Sequence, residues 1–171
     1  MPQMLDPNFN GALTYICEHN EQGAMGIIIN QPIQLKLSEL LDQFELTLVE
    51  NDHPVLAGGP VERERGFILH DDDSGKWESH LAISSSLSLT SSKDILEAIS
   101  KDKGPSNFLV VLGYAGWSEG QLERELAENT WLCCPSSSDI IFHPKNEEKL
   151  NLAMRAIGID PSQLNGQIGH A

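Results

Sequence analysis

The chain has 171 residues, 40% of them hydrophobic, which is enough for one compact domain that buries roughly 70% of the surface of the unfolded chain. It carries 11 basic and 25 acidic side chains, so its formal net charge of −14 repels phosphate backbones and anionic lipids, and direct nucleic-acid binding is not expected. The start of the chain lacks the pattern of a signal peptide and no run of 18 apolar residues occurs, so we expect no membrane association and a cytoplasmic location.

The first predicted elements are two neighbouring strands and a helix. Residues 12–18 alternate in hydrophobicity as a half-buried strand does, and residues 24–29 form a continuous apolar run that predicts a fully buried strand. The short turn at residues 20–23 predicts that these two strands pair. Residues 37–44 place apolar side chains at helical spacing, which predicts a short helix over one face of the sheet. The Gly-Gly-Pro within residues 55–60 predicts a change of direction.

The middle of the chain is predicted to return to the sheet and then to form a second helix. Residues 66–70 have the composition of a strand, and the acidic residues 71–75 predict an exposed turn after it. The sheet is predicted to resume at Trp77 and at residues 81–83. Residues 91–99 open with a Ser-x-x-Asp capping box and predict a helix, which the following Gly-Pro sequence stops.

Residues 107–126 read as a buried strand, a Gly-rich turn and an amphipathic helix in immediate succession. The glycines of this stretch are Gly113, Gly116 and Gly120. The unpaired N–H groups at such a helix start can hold a phosphate or carboxylate. However, Ser118 and Gln121 have the spacing of a capping box and Glu119 places a negative charge there, so a structural tight turn is the favoured interpretation. The glycine spacing matches neither a P-loop nor a dinucleotide-binding fingerprint.

The last predicted elements are a strand, a helix and a final turn. Residues 131–134 are predicted to form a strand, and residues 147–157 a helix with its apolar side chains on one face. Gly158 stands where a helix C-cap glycine belongs, and residues 160–161 can start one last turn. Strands and helices alternate irregularly along the chain, which predicts a single α+β domain over residues 1–171 rather than a regular parallel sheet.

Several sequence blocks carry a resemblance to a known family. They include Gly-Gly-Pro at residues 58–60 and Gly-Tyr-Ala-Gly-Trp at residues 113–117. The further blocks are residues 4–7, 17–19, 23–26 with Asn30, 65–67 with His70, 104–105, 120–123, 129–131 and 169–171. Together they resemble the AlgH-like (YqgE) family of bacterial proteins over nearly the whole chain.

The resemblance implies an α+β fold with a branched mixed β-sheet that includes a small barrel and is surrounded by helices. It implies no settled biochemical activity, and one relative is named as a regulator of alginate production. Two features depart from the family pattern. Relatives usually carry an apolar strand before the block at residues 4–7, and the adjacent Cys133 and Cys134 replace the small, non-cysteine residues usual there, so neither thiol is given a family role.

Cysteine, histidine and glutamate residues are less specific candidates for catalysis or metal binding. Cys17 and His19 lie two apart on a predicted strand and so face the same side, where an imidazole can accept a thiol proton, but an inert buried cysteine is the favoured interpretation. The three cysteines form no C-x-x-C pair and the histidines have no metal-binding spacing, so we expect neither a metal site nor a cofactor. Glu18 and Glu123 are a possible carboxylate pair for acid–base work.

The residues selected as candidates for ligand binding are glycines and polar residues that the sequence concentrates in a few blocks. They are His19, Asn30, Arg65, His70, Gly113, Gly116, Ser118, Gln121 and Glu123. We expect these blocks to frame one polar pocket, and the protein to act as a cytoplasmic regulator through a small ligand or a protein partner. The alternatives are an enzyme, based on Cys17 and His19 or transferring a phosphoryl group, and a transcriptional regulator.

Overall fold

The computed structural model describes residues 6–48, 50–71 and 77–164, without the side chains of residues 163 and 164. The strands are β1 Thr14–Asn20, β2 Gly23–Ile28, β3 Pro32–Lys36, β4 Pro54–Ala57, β5 Val61–Asp71, β6 His80–Ala82, β7 Leu87–Thr90 and β8 Phe108–Ser118. The helices are α1 Leu37–Asp42, α2 Lys93–Ser100, α3 Gln121–Ala127, α4 Ser138–Ile141, α5 Asn146–Ala156 and α6 Pro161–Leu164. The predicted acidic turn at residues 72–75 and the family blocks at residues 4–5 and 169–171 lie outside the described residues.

Strand β8 is the centre of a branched, mixed sheet. The main path runs β1-β2-β8-β5-β7-β6, and β4 joins β8 from the side and carries β3 on its other edge. The β4–β8 pairing is parallel, and the other pairings are antiparallel. The sheet curls into a half-barrel with helices around it. The α+β class expected from the sequence is therefore confirmed.

The sheet is buried on both faces, which is why its central strands read as continuous apolar runs. Val111 points into one core cluster with Ile27 and Leu69, while its neighbour Val110 points into a second cluster with Ile68 and the apolar faces of α1 and α2. A third cluster forms where the end of β8 meets α3. A sheet that is buried on both faces must be covered on each face, and the helices and loops of this fold provide that cover.

Most elements predicted from strong periodicity are present. Strands β1 and β2 pair antiparallel across the expected turn, with Asn20 opposite Gly23. Helices α1, α2 and α5 form where they were predicted, although α2 begins with Ser92 at its N-cap, one residue after the predicted serine. Gly158 adopts a φ of +78° just after α5, and Ile159 N–H donates to Met154 O, as in a glycine C-cap.

Three strands were missed because their sequences are short or interrupted, and one predicted strand does not form. Strand β4 occupies the region predicted only as a change of direction, and β3 and β7 were not predicted. The strand predicted at residues 131–134 was wrong, since no β-ladder forms there. Trp131 instead packs its ring against Phe9 at 5.4 Å between centroids and donates its indole N–H to Glu125. The apolar character of that segment therefore serves packing rather than strand pairing.

The predicted Gly-rich turn was placed too early. Gly113 and Gly116 lie inside β8, and the turn before α3 consists of Glu119 and Gly120 alone. Gly113 adopts a φ of +77° because the β4–β5 connection crosses β8 there, and a Cβ atom on it would stand 2.6 Å from Gly59 O. This glycine permits a close backbone crossing, whereas Gly116 meets nothing nearer than Tyr114 Cε2 at 3.7 Å.

We expect the Gly113→Ala substitution to lower the free energy of unfolding by about 2 kcal/mol or more, because it combines a left-handed φ with a backbone clash. Gly116→Ala is the matched control and should change the free energy by no more than about 0.5 kcal/mol. Urea unfolding followed by circular dichroism measures both. Equal effects of the two substitutions would contradict this account of the crossing.

Candidate functional site

Four of the nine candidate residues come together where α3 packs beside the end of β1. His19 Nε2 lies 2.5 Å from Glu123 Oε1, and the two side chains are 41% and 52% exposed. The hydrogen bond from His19 is the main reason that the pKa of Glu123 falls below its ordinary value. Ser118 and Gln121 lie at the start of the same helix. The carboxylate therefore orients an imidazole at the protein surface.

Ser118 and Gln121 do not form the predicted capping box. The N-cap of α3 is Gly120, with a left-handed φ of 68°, and no side chain caps the helix. Instead, the N–H and hydroxyl of Ser118 both donate to Gln121 Oε1, at 3.0 and 3.2 Å. Gln121 reaches back to close the turn, which is half of the predicted arrangement. The favoured interpretation of this stretch as a structural turn fits these contacts.

The carboxylate of Glu125 ties α3 to two tryptophans. Its Oε2 accepts the indole N–H of Trp117 at 2.9 Å and that of Trp131 at 2.8 Å, and its Oε1 accepts the amide of Gln121 at 2.9 Å. Desolvation by burial raises the pKa of Glu125, but the three hydrogen bonds outweigh it and hold the pKa below its ordinary value. The ionised carboxylate fixes both indole rings beside α3.

Asn30, Arg65 and His70 each have partners elsewhere in the fold. Asn30 Oδ1 accepts Leu13 N–H at 2.8 Å and its amide donates to Gly11 O at 2.9 Å, so it holds the approach to β1. Arg65 forms an exposed ion pair with Glu62 at 3.2 Å and lies over the Phe67 ring. Asn30 and Arg65 are therefore both engaged by other residues of the fold.

His70 is a core histidine. It is 1% exposed, its Nδ1 lies 2.9 Å from Asp71 O, and its Nε2 lies 2.8 Å from Thr90 Oγ1. Both ring nitrogens are thus engaged between β5 and β7. With Gly113 and Gly116 inside β8, the structure does not gather the nine candidates around one pocket.

A cavity of about 420 Å³ opens beside the His19–Glu123 pair instead. Its walls are β1 with the residues before it, Trp117 at the end of β8, α3, residues 131–137, α4 and α5. The lining is mainly aliphatic and aromatic, and His19 is the one of the nine candidates that contributes to it. This cavity is therefore not the polar pocket that was expected from the sequence.

The sequence held one signal for this cavity. Residues 147–157 were predicted to form a helix with its apolar side chains on one face, and those side chains are Leu150, Ala153, Met154 and Ile157. In the structure these side chains form the α5 wall of the cavity. Hydrophobic periodicity identifies the apolar face of a helix. It does not distinguish a face that packs against the core from a face that lines a cavity.

A few polar groups border the cavity. Thr14 Oγ1 is buried and makes no hydrogen bond to any described residue. Burial raises the pKa of Tyr15, although a hydrogen bond with Ser136 acts in the opposite direction. Cys133 and Cys134 lie on the same wall as Ser136.

Cys17 is not placed for nucleophilic chemistry with His19. A β-bulge shifts the register between Ile16 and Glu18, so the expected alternation fails and Cys17 is buried while His19 is exposed. Desolvation raises the pKa of the Cys17 thiol to about 12. At neutral pH the thiolate form is therefore disfavoured.

Lys149 is a buried cation that the sequence analysis did not select. It is 0% exposed on α5, and its Nζ donates to Ile29 O at 2.8 Å. Desolvation lowers the pKa of Lys149 to about 8. This bond joins α5 to the chain just after β2, below the cavity, and no periodicity argument predicts a lysine in such a place.

Within the described ranges, no group of three or more His, Cys, Asp or Glu side chains is arranged to hold a metal ion. No helix in those ranges is both long and apolar enough to cross a membrane.

The fold and cavity define an α+β protein with a curled, branched sheet, and comparison with known proteins gives its family. A profile of the AlgH-like family matches residues 1–162. The chain is 51% identical to a UPF0301 protein of Thiobacillus denitrificans, over 100% of this chain and 93% of that one. It is 48% identical to a UPF0301 protein of Hahella chejuensis, over 100% and 92%. The chain belongs to the AlgH-like family.

Solved structures agree with this assignment. The solution structure of the AlgH protein from Pseudomonas aeruginosa has a TM-score of 0.79 and 43% identity, and covers 100% of this chain and 92% of that one. A crystal structure of a Corynebacterium diphtheriae protein, with 18% identity and a TM-score of 0.72, covers 90% and 81% and shows a shared fold.

We expect Cys17 to resist iodoacetamide at neutral pH while the exposed Cys133 reacts, since burial and a raised pKa both remove the reactive thiolate. Peptide mass spectrometry over a time course gives the rate at each site. Unfolding in urea should bring the Cys17 rate up to that of Cys133. Rapid modification of Cys17 in the folded protein would contradict the assignment and revive the Cys17–His19 enzyme.

We expect Lys149 to contribute increasing stability to the folded state as the pH rises from about 8 to about 10, because the unfolded chain then binds more protons at Lys149 than the folded chain does. The raised pKa of Cys17 acts in the opposite direction over this range, but it does so equally in the parent protein and in the Lys149 variant. The contribution should reach about 2 kcal/mol. It should be missing in Lys149→Met, whose side chain remains neutral throughout. Urea unfolding at several pH values gives the two curves, and parallel curves would show that Lys149 titrates normally.

Proposed function

We propose that this protein is a cytoplasmic regulatory protein that acts by binding a mainly apolar ligand, or an apolar part of a protein partner, in the cavity beside β1. The cavity carries the proposal: it is concave, predominantly apolar and bordered by a few polar groups, as binding sites for small molecules and side chains usually are. Its wall includes Leu132, which is 48% exposed although it is a large apolar residue.

The charge of the chain supports action through such a ligand rather than through DNA. With a net charge of −14, the protein repels the phosphate backbone that supplies most non-specific affinity for nucleic acid. Apolar contacts are insensitive to that field. The net charge therefore supports a direct transcriptional regulator less well than a protein that binds an apolar ligand or partner.

One arrangement favours the enzyme alternative. The His19–Glu123 pair stands at the edge of the cavity, and a carboxylate that orients an imidazole is a common element of general acid–base sites. The Cys17 form of this alternative is weakened by the burial of the thiol. An enzyme based on His19 and Glu123 can be tested by a turnover assay. The assay uses any ligand found for the cavity, and His19→Gln is the control.

The neutral dye Nile red is a suitable probe of the proposed site, since the negative field does not repel it. We expect its fluorescence to rise on saturable binding. Leu150→Trp places a bulky indole ring in the cavity and should weaken the affinity for the dye at least about tenfold. Leu81→Trp on β6 is the matched control, because Leu81 is already 41% exposed and does not line the cavity. Absence of binding, or equal binding by both variants, would overturn the proposal.

A further inference from the structure

Two adjacent thiols lie in one wall of the cavity. Cys133 and Cys134 both line it, within the segment of residues 131–137. Cys133 is exposed and Cys134 is half-buried, whereas the third cysteine, Cys17, is buried in a core cluster and does not line the cavity. The adjacent pair is therefore open to reagents in solution that do not reach Cys17.

Adjacency brings the two thiols within reach of each other. Burial raises the pKa of Cys134 and the charge of a Cys133 thiolate raises it further, so the two sulfur atoms lie close enough to interact. Consecutive Cα atoms are about 3.8 Å apart, whereas those of an ordinary disulfide are about 4.4–6.8 Å apart. A disulfide between adjacent cysteines therefore closes a strained ring, and strained disulfides are the ones that thiols reduce readily.

The backbone around the pair is tied neither to the sheet nor to a helix. Residues 132–136 make no backbone–backbone hydrogen bond to any part of the chain that the structure describes. Before them, the Trp131 indole donates to Glu125, and after them Ser137 O accepts the N–H of Ile141 in α4. The residues between these two anchors can thus change conformation without disrupting a strand or a helix.

We propose that Cys133 and Cys134 are a redox-active dithiol, which low-molecular-weight disulfides convert reversibly into a disulfide between these two residues, and that this conversion weakens ligand binding in the cavity. The effect on ligand binding rests on the proposed function, whereas the exchange chemistry does not. The protein would then hold its ligand in the reduced state and release it under oxidising conditions.

The exchange takes place in two steps. The Cys133 thiol loses its proton, and the thiolate displaces one half of the reagent RS–SR to give a mixed disulfide and RS⁻. The Cys134 thiolate then attacks Cys133 Sγ, closes the ring and releases the second RS⁻. The two cysteine protons end on the two released RSH molecules, so the pair is oxidised by two electrons and the reagent is reduced by two. An excess of RSH reverses both steps.

The charge of the protein favours a cationic reagent. A net charge of −14 attracts cystamine, a disulfide with an ammonium group at each end, and repels oxidised glutathione, which is an anion. Cystamine should therefore react faster than oxidised glutathione. Added salt should reduce the difference between the two rates.

Ring closure should alter the cavity because it draws two lining residues together. Both cysteines are free thiols in the cavity wall described above. Their movement towards each other should also displace Leu132 and Pro135, the lining residues on either side. We therefore expect Nile red to bind the disulfide form at least about threefold more weakly than the dithiol form.

Mass spectrometry of the intact protein and its peptides follows the reaction with cystamine. The parent protein should lose two hydrogen atoms in the peptide that contains both cysteines, and dithiothreitol should restore them. Cys134→Ser lacks the second thiol and should stop at the mixed disulfide on Cys133. Cys133→Ser should react at least about tenfold more slowly, because the remaining thiol is half-buried and has a raised pKa.

The double variant Cys133→Ser/Cys134→Ser is the control for the dye measurement, and cystamine should leave its affinity for Nile red unchanged. A persistent mixed disulfide on the parent protein, a covalent dimer or no reaction would overturn the redox pair. Equal dye affinity of the dithiol and disulfide forms, or an equal loss in the double variant, would overturn the control of the cavity. If neither form binds the dye, the proposed function and the control of the cavity both fail, while the mass measurements still decide the exchange chemistry.

Discussion

The architecture depends on one strand that must pair with three others. Strand β8 bonds β2, β4 and β5, and the connection from β4 to β5 crosses it at the point where Gly113 leaves room for the backbone of Gly59. A side chain at Gly113 would push the two backbones apart. The crossing lets both β4 and β5 pair with β8, and separate core clusters lie on the two faces of the branched sheet that results.

The cavity is a consequence of how the chain leaves that central strand. Beyond Ser118, the turn at Gly120 sends α3 back over the end of β8, where Glu125 holds the indoles of Trp117 and Trp131. Residues 131–137 then pass opposite β1 without pairing with it, and α5 closes the far side. The space that remains is bounded by β1 and the residues before it on one side and by apolar walls on the others.

The polar groups within the fold and at the cavity edge have distinct physical roles. The Lys149 ammonium is buried and bonds a backbone carbonyl, which attaches α5 to the sheet at the cost of desolvating a cation. His70 and Asn30 satisfy backbone and hydroxyl groups within the fold. His19 and Glu123 face solvent at the cavity edge. Polar groups at the cavity are thus few, and most of its wall is apolar.

The sequence by itself determined the α+β class, the helices with strong 3.6-residue periodicity and the buried strands, because those features follow from local patterns of hydrophobicity and capping. It did not determine that Gly113 lies within a strand, that a bulge separates Cys17 from His19, or that Asn30, Arg65 and His70 have partners elsewhere in the fold. Those facts depend on which distant segments meet, and nothing local in a sequence specifies that. The cavity was decided by tertiary structure alone, since the face of α5 has the same hydrophobic pattern whether it packs against a core or borders a cavity.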